Sequence, residues 1–343
     1  KKLSKEEADK LAMEALEKAA DLATSAPSAY VRFSQVYQAA GDMDTAGAFC
    51  QQAVDSNASD PAGYLCLGAL AKATGEWEQS LAWYQAAAQA APASPRPHLA
   101  QGLIHQEHGD WAAAEAAYRR AIGLAPASGE AHLALAELYR AKGNLERALR
   151  QAQAAVEAEP GSSLAHLGLG SILRYSGDHD SARAAYARAR TLDPTNVNVY
   201  SAETTLYLSS GEPAAALEQA EAGVRANPGA AAAWIALGDY YRDRARPDLA
   251  ADAYRRGVEV EPGTVSARLA LAALASTQGQ WEEAQDAFQE ALALEQGNAQ
   301  IYLAMGDSYD PDSLPRMFGY EYLKDIRTFA LVVAVTHAYR WFW

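Results

Sequence analysis

Residues 61–94 read PAGYLCLGALAKATGEWEQSLAWYQAAAQAAPAS, and residues 95–128 read PRPHLAQGLIHQEHGDWAAAEAAYRRAIGLAPAS. Laid over each other at an offset of 34, they pair Gly75 with Gly109, Ser80 with Ala114, Tyr84 with Tyr118, Ala87 with Ala121 and Pro92 with Pro126. The register continues outward in both directions. Glycine recurs at Gly41, Gly75, Gly109, Gly143, Gly177, Gly211 and Gly279, with Ala245 in the one skipped slot. Five residues later stand Ala46, Ser80, Ala114, Ala148, Ala182, Ala216, Ala250 and Ala284. Seven further come Ala53, Ala87, Ala121, Ala155, Ala189, Gly223, Gly257 and Ala291. Proline closes six units, at Pro92, Pro126, Pro160, Pro194, Pro228 and Pro262.

Each slot has a physical reason. A unit is two helices of about a dozen residues, roughly 18–20 Å each at about 1.5 Å per residue. The glycine ends the first helix, where a left-handed cap is needed. Asp, Asn or Glu often follows, as in Gly41-Asp42 and Gly109-Asp110, and caps the second helix. The small residues lie where helices cross. The proline stops the second helix and turns the chain. Large residues such as Tyr64, Leu67, Trp77 and Tyr84, or Trp234, Leu237, Tyr241 and Tyr254, fall mainly on one face of each helix. One helix pair cannot bury such a face, so the units must stack.

This succession of aromatic, Leu, Gly and aromatic, then Gly, Ala, aromatic, Ala and Pro, resembles the tetratricopeptide repeat family. The likeness covers Pro27 to about Asn298 as eight full units, with the first helix of a ninth from Ala299 to about Tyr309. The expected fold is all-α: a right-handed superhelical α-solenoid over 27–309, with units starting near 27, 61, 95, 129, 163, 197, 231, 265 and 299. Residues 1–26 read as an N-terminal capping helix, opened by a capping box at Ser4 and Glu7. Residues 310–343 break the pattern with a Pro311–Pro315 turn and an apolar run ending Trp341-Phe342-Trp343. They are expected either to cap the last repeat or to contact a membrane through 326–343.

Composition narrows the function. The 343 residues carry 29 Lys+Arg against 43 Asp+Glu, a formal net charge of −14. A bare nucleic-acid binder needs a basic surface, so that partner is not expected. The two cysteines, Cys50 and Cys66, form no CxxC. They are expected as free, mostly buried thiols; the alternative is a disulfide between neighbouring repeats. No phosphate loop, nucleophile elbow or HExxH occurs, and no enzyme activity, metal or cofactor is expected. His105-Gln106-Glu107-His108 has the wrong spacing for a zinc motif, and reads as polar helix-end residues. His98, His132 and His166 share a slot filled elsewhere by Tyr30, Tyr64, Tyr200, Trp234 and Tyr302; they are expected to stand in for an aromatic packing residue. Glu203 sits where other units carry Leu67, Leu135, Leu169, Leu237 and Leu271. A carboxylate there is either paired or marks a locally loose unit, and the loose unit is the expectation.

The family resemblance also implies a site. First helices of such proteins line a concave face that binds peptides. The slots that would face the groove hold Lys72, Arg96, Glu137, Arg140, Arg174, Tyr175, Asp239 and Arg242, above Leu99, Leu133, Leu167, Ile235 and Leu269. Arginines over an apolar floor suit an extended peptide with carboxylates; alternatively they pair with Glu137 or Asp239. Val31 and Gln35 depart from the Lys and Asn of the heat-shock chaperone clamp. The sugar-transferring relatives' asparagine ladder is replaced by Arg32, Cys66, Ala100, Ala134, Gly168, Ala202, Ala236 and Ala270. The expectation is therefore a protein–protein interaction scaffold that organises a multiprotein assembly. Its alternatives are a non-catalytic arm of a bacterial membrane-associated export or pilus-assembly machine, and the regulatory repeats of a larger enzyme.

Overall fold

The computed structural model describes residues 27–39, 41–294, 301–302 and 304–305; the expected N-terminal cap, most of the ninth unit's helix and the 310–343 segment lie outside the described residues. The described residues form sixteen helices in eight antiparallel pairs. The pairs are α1 (Pro27–Ala39) with α2 (Met43–Ser56), α3 (Pro61–Ala73) with α4 (Trp77–Ala90), α5 (Arg96–Glu107) with α6 (Trp111–Leu124), and α7 (Gly129–Ala141) with α8 (Leu145–Ala158). They continue as α9 (Ser163–Tyr175) with α10 (His179–Leu192), α11 (Val197–Ser209) with α12 (Pro213–Ala226), α13 (Ala231–Asp243) with α14 (Pro247–Val260), and α15 (Val265–Thr277) with α16 (Trp281–Leu294). The chain is an all-α solenoid of helix-turn-helix repeats. The described residues divide into two compact units, one up to Ile172 and the other from Leu173.

Within each unit the first helices of successive pairs touch, α1 with α3 and α5 with α7 in the first, α11 with α13 and α13 with α15 in the second. Second helices instead pack on the first helix of their own pair, as α2, α4, α6 and α8 do in the first unit and α12, α14 and α16 in the second, and on that of the following pair, as α2, α4, α6, α10, α12 and α14 do. The crossings need small residues. Ala53, Ala87, Ala121, Ala155, Ala189 and Ala291 are fully buried, as are Ala46, Ser80, Ala114 and Ala148 of the other small-residue series. Tyrosines of the second helices fill the remaining space: a Cβ on Gly102 would lie 2.3 Å from the Tyr118 ring, and one on Gly68 2.4 Å from Tyr84.

The caps follow the residue types. Asp42, Asp110, Asn144 and Asp178 accept the backbone N–H of Thr45, Ala113, Arg147 and Ser181 at 3.0, 3.0, 3.1 and 3.1 Å. Glu76 and Glu212 make no such bond. The turn glycines have φ between 72° and 84°. Where glycine is skipped, Ala245 takes the same turn at φ 52°, with Arg246 N–H bonded to the Tyr241 carbonyl at 2.9 Å as Asp110 N–H is to His105 at 2.8 Å. A Cβ in this region strains the backbone by about 1 kcal/mol.

A further regularity fixes how four of the pairs enter. Tyr200 Oη, Trp234 Nε1, His132 Nε2 and His166 Nε2 each donate to the carbonyl of the proline six residues earlier, Pro194, Pro228, Pro126 and Pro160, at 2.9, 2.9, 3.1 and 3.0 Å. The slot holds a flat ring with a polar donor that staples the inter-repeat turn, which is why histidine serves as well as tyrosine or tryptophan. His98 differs, with Nδ1 3.2 Å from Gln101 Oε1.

Two expectations are corrected. Cys50 of α2 and Cys66 of α3 are joined in a disulfide, with Cα atoms 5.5 Å apart. Helix packing brings α2 and α3 to that distance, which a linear reading cannot supply. Glu203 does not mark a loose unit. It is 2% exposed on α11, and Arg190 of α10 donates to it at 2.8 Å and to Gln219 of α12 at 2.7 Å. Burial pushes the Glu203 carboxyl above its ordinary range even though Arg190 pulls the other way.

Three outcomes follow. Ala245→Gly should raise unfolding free energy by about 1 kcal/mol in urea titration, because glycine takes this turn without strain. The disulfide closes a loop of 16 residues and contributes about 3 kcal/mol. Reduction, or Cys66→Ser, should therefore lower stability by about that amount, with alkylation labelling the wild type only after reduction. For Glu203, a folded pKa above the unfolded one favours folding at low pH, and that contribution is lost as pH rises through the folded value. Replacing it by the leucine of the other repeats should stabilise by about 1 kcal/mol near neutrality, since a hydrophobic isostere removes a costly buried charge while Arg190, 36% exposed, keeps water and Gln219. Stability measured between about pH 4 and pH 7 should then fall less steeply than in the wild type.

Candidate partner-binding groove

Neighbouring first helices of the N-terminal unit leave a hollow of about 360 Å³ between them. Leu65 of α3, Leu99 and Ala100 of α5, and Ala134 of α7 line its floor, and the rings of Tyr84 and Tyr118 reach it from the second helices. Leu103 stands at its edge, 42% exposed. Burial pushes the Tyr118 hydroxyl up to about 12, so it stays a neutral donor, here to Gln106 Oε1 at 3.1 Å. Arg96 and Glu130 complete the rim. They hold one slot in consecutive repeats, at the start of α5 and α7.

All eight residues singled out by sequence lie on first helices, but the structure uses them in different ways. Lys72 of α3 meets Glu107 of α5 at 2.6 Å, Arg140 meets Glu137 at 2.6 Å within α7, and Arg242 meets Asp239 at 2.9 Å within α13. Asp239 also accepts from Tyr254 at 2.7 Å. In the C-terminal unit the Arg174 guanidinium lies 4.5 Å from the centroid of the Tyr175 ring, with its Nε buried and without a hydrogen-bond partner. Lys72, Arg140, Arg174 and Arg242 occupy the last turns of their helices, where a cation complements the helix dipole. Their placement thus has a structural reason.

Arg96 differs. It is the first residue of its helix, the end where a cation is disfavoured, and it has no ion-pair partner among the described residues. Of the groove-lining residues brought together here, sequence reasoning named Arg96 and Leu99 and missed Leu65, Leu103 and Glu130. A signal existed for each. Leu65 fills the Leu99 slot one repeat earlier, and Leu103 follows Leu99 at i+4 on the same helix face. Glu130 fills the Arg96 slot one repeat later.

Stacked helix pairs in register define a helix-turn-helix repeat scaffold. Tetratricopeptide-repeat models match residues 27–60, 99–163, 133–197, 202–264 and 267–302. The chain belongs to the tetratricopeptide repeat family. Members of this family bind protein partners, and the family is typically non-catalytic. No curated protein matches the chain significantly. Among solved structures, it is similar to a tetratricopeptide repeat protein from Parabacteroides merdae, at 18% identity and a TM-score of 0.51, over 68% of this chain and 93% of that one. It is also similar to the anaphase-promoting-complex hetero-tetramer Cut9–Hcn1, at 16% identity and a TM-score of 0.50, over 88% of this chain and 59% of that one. At these identities the likeness concerns the fold. Among the described residues no helix is long and apolar enough to cross a membrane.

Proposed function

We propose that this scaffold holds an extended peptide of a partner protein in the hollow between α3, α5 and α7, and so organises a protein assembly. The observation that carries the reading is the pair of unsatisfied features at one place. Leu103 exposes an isobutyl group in a slot that holds Ala69, Glu137, Ser171, Thr205, Asp239 and Ala273 in other repeats. Arg96 holds an unpaired charge at the unfavourable end of a helix, on the same rim.

The chemistry of the occupant follows. An apolar side chain fills the floor between Leu65, Leu99 and Leu103. A carboxylate next to it pairs with Arg96, bidentate where the geometry allows. A donor on the other side meets Glu130. The paired cations Lys72, Arg140 and Arg242 add little, since exposed pairs that exchange one partner for another gain little.

A photo-crosslinking residue placed at 103 in the full chain should capture a partner protein in cells, whereas the same residue at the exposed position 157 should not. Leu103→Ser and Arg96→Glu should each weaken the captured partner's binding about tenfold or more in titration with purified components. Equal capture from both positions, or binding indifferent to both substitutions, would refute the reading.

A further inference from the structure

A second cavity, of about 570 Å³, opens in the C-terminal unit between the second helices α14 and α16, with α15 beneath it. It is built from other elements than the hollow on the first-helix side. Leu271 and Leu274 of α15 form an apolar floor, and the walls carry charge. Its two arginines are already engaged. Arg268, 12% exposed, donates to Glu290 at 3.1 Å and to the Thr264 carbonyl at 2.8 Å, and Arg255 pairs with Asp252 at 2.9 Å. Asp248 on one wall and Glu283 and Asp286 on the other are exposed, with no ion-pair partner among the described residues. Glu283 and Asp286 are spaced i,i+3 and point along one helix face.

We infer that this groove docks a basic amphipathic segment of a partner protein. An apolar-floored cleft between two walls that each carry more carboxylates than arginines is complementary in charge to a segment that alternates aliphatic side chains with Lys or Arg. The stems of those basic residues cover the leucine floor while their heads reach the carboxylates. A single metal ion does not fit the arrangement, because among the described residues no three potential ligands are gathered closely enough to hold one. The charge is spread along the cleft, as a segment with several cations requires. The carboxylates steer such a segment in and select against acidic ones.

The test is fluorescence anisotropy with the full chain and a labelled helical peptide of leucine and lysine, beside its leucine–glutamate counterpart. The lysine peptide should bind and the glutamate peptide should not. Asp248→Asn/Glu283→Gln/Asp286→Asn should weaken binding about tenfold, and binding should fall as salt rises from about 0.05 M to about 0.5 M. Glu78→Gln/Glu157→Gln/Glu218→Gln removes as many exposed charges elsewhere and should change nothing. Leu103→Ser should also leave this binding intact, so the outcome is independent of the partner groove proposed above. Absence of binding, or equal loss in both triple variants, would overturn the inference; circular dichroism confirms that each variant is folded.

Discussion

Helix backbones in this protein approach so closely that only the smallest side chains fit between them, and the remaining structure is arranged around that contact. A Cβ on Gly63 of α3 would lie 2.6 Å from the Val54 backbone nitrogen of α2, so the second helix of one repeat and the first of the next meet main chain to main chain. The alanines at Ala53, Ala87 and Ala121 hold the same crossing within the N-terminal unit, each wholly removed from water. A stack closed this way leaves grooves on either side that larger residues must fill, and the tyrosines of α4 and α6 do so from one side. Because each pair touches only its neighbours, stability is local. A lesion at one crossing loosens the two adjoining repeats before it affects distant ones.

That locality explains what could be read from sequence. The period was legible because the crossing contact recurs at every pair, so small residue, turn glycine and closing proline repeat with it. Cap residues were legible for the same reason: Asp42 and Asp110 satisfy groups within three positions of themselves. The misreadings concern contacts between elements. Cys50 and Cys66 meet because α2 and α3 pack, and Glu203 is satisfied by Arg190 from the preceding repeat, which is itself held by Gln219 of the next helix. Each element's buried face was readable, but the residue opposite it was not. The ring slot shows the converse. Histidine, tyrosine and tryptophan look like unrelated choices in sequence, and only the shared proline carbonyl shows that a flat donor is what the position selects.

The same distinction separates structural charge from functional charge in the grooves. Conspicuous arginines on the first helices are an unreliable guide, because a cation in the last turn of a helix already has a favourable place there. Lys72, Arg140, Arg174 and Arg242 all do, and three of them also own a carboxylate. A more telling mark is a residue whose position opposes its surroundings, as Arg96 does at a positive helix end and Leu103 does by being exposed in a slot otherwise small or polar.

A repeat array makes this criterion usable, because every residue has counterparts in the same environment. The slot of Leu103 shows what solvent exposure permits there, and leucine lies outside that range. The slot of Glu203 shows the opposite case, since leucine is its norm and the exception is compensated internally by Arg190, which Gln219 also holds. An exception with a partner inside the chain is a feature of packing. An exception without one, such as the exposed Leu103 or the unpaired Arg96 beside the hollow of α3, α5 and α7, has no such account among the described residues.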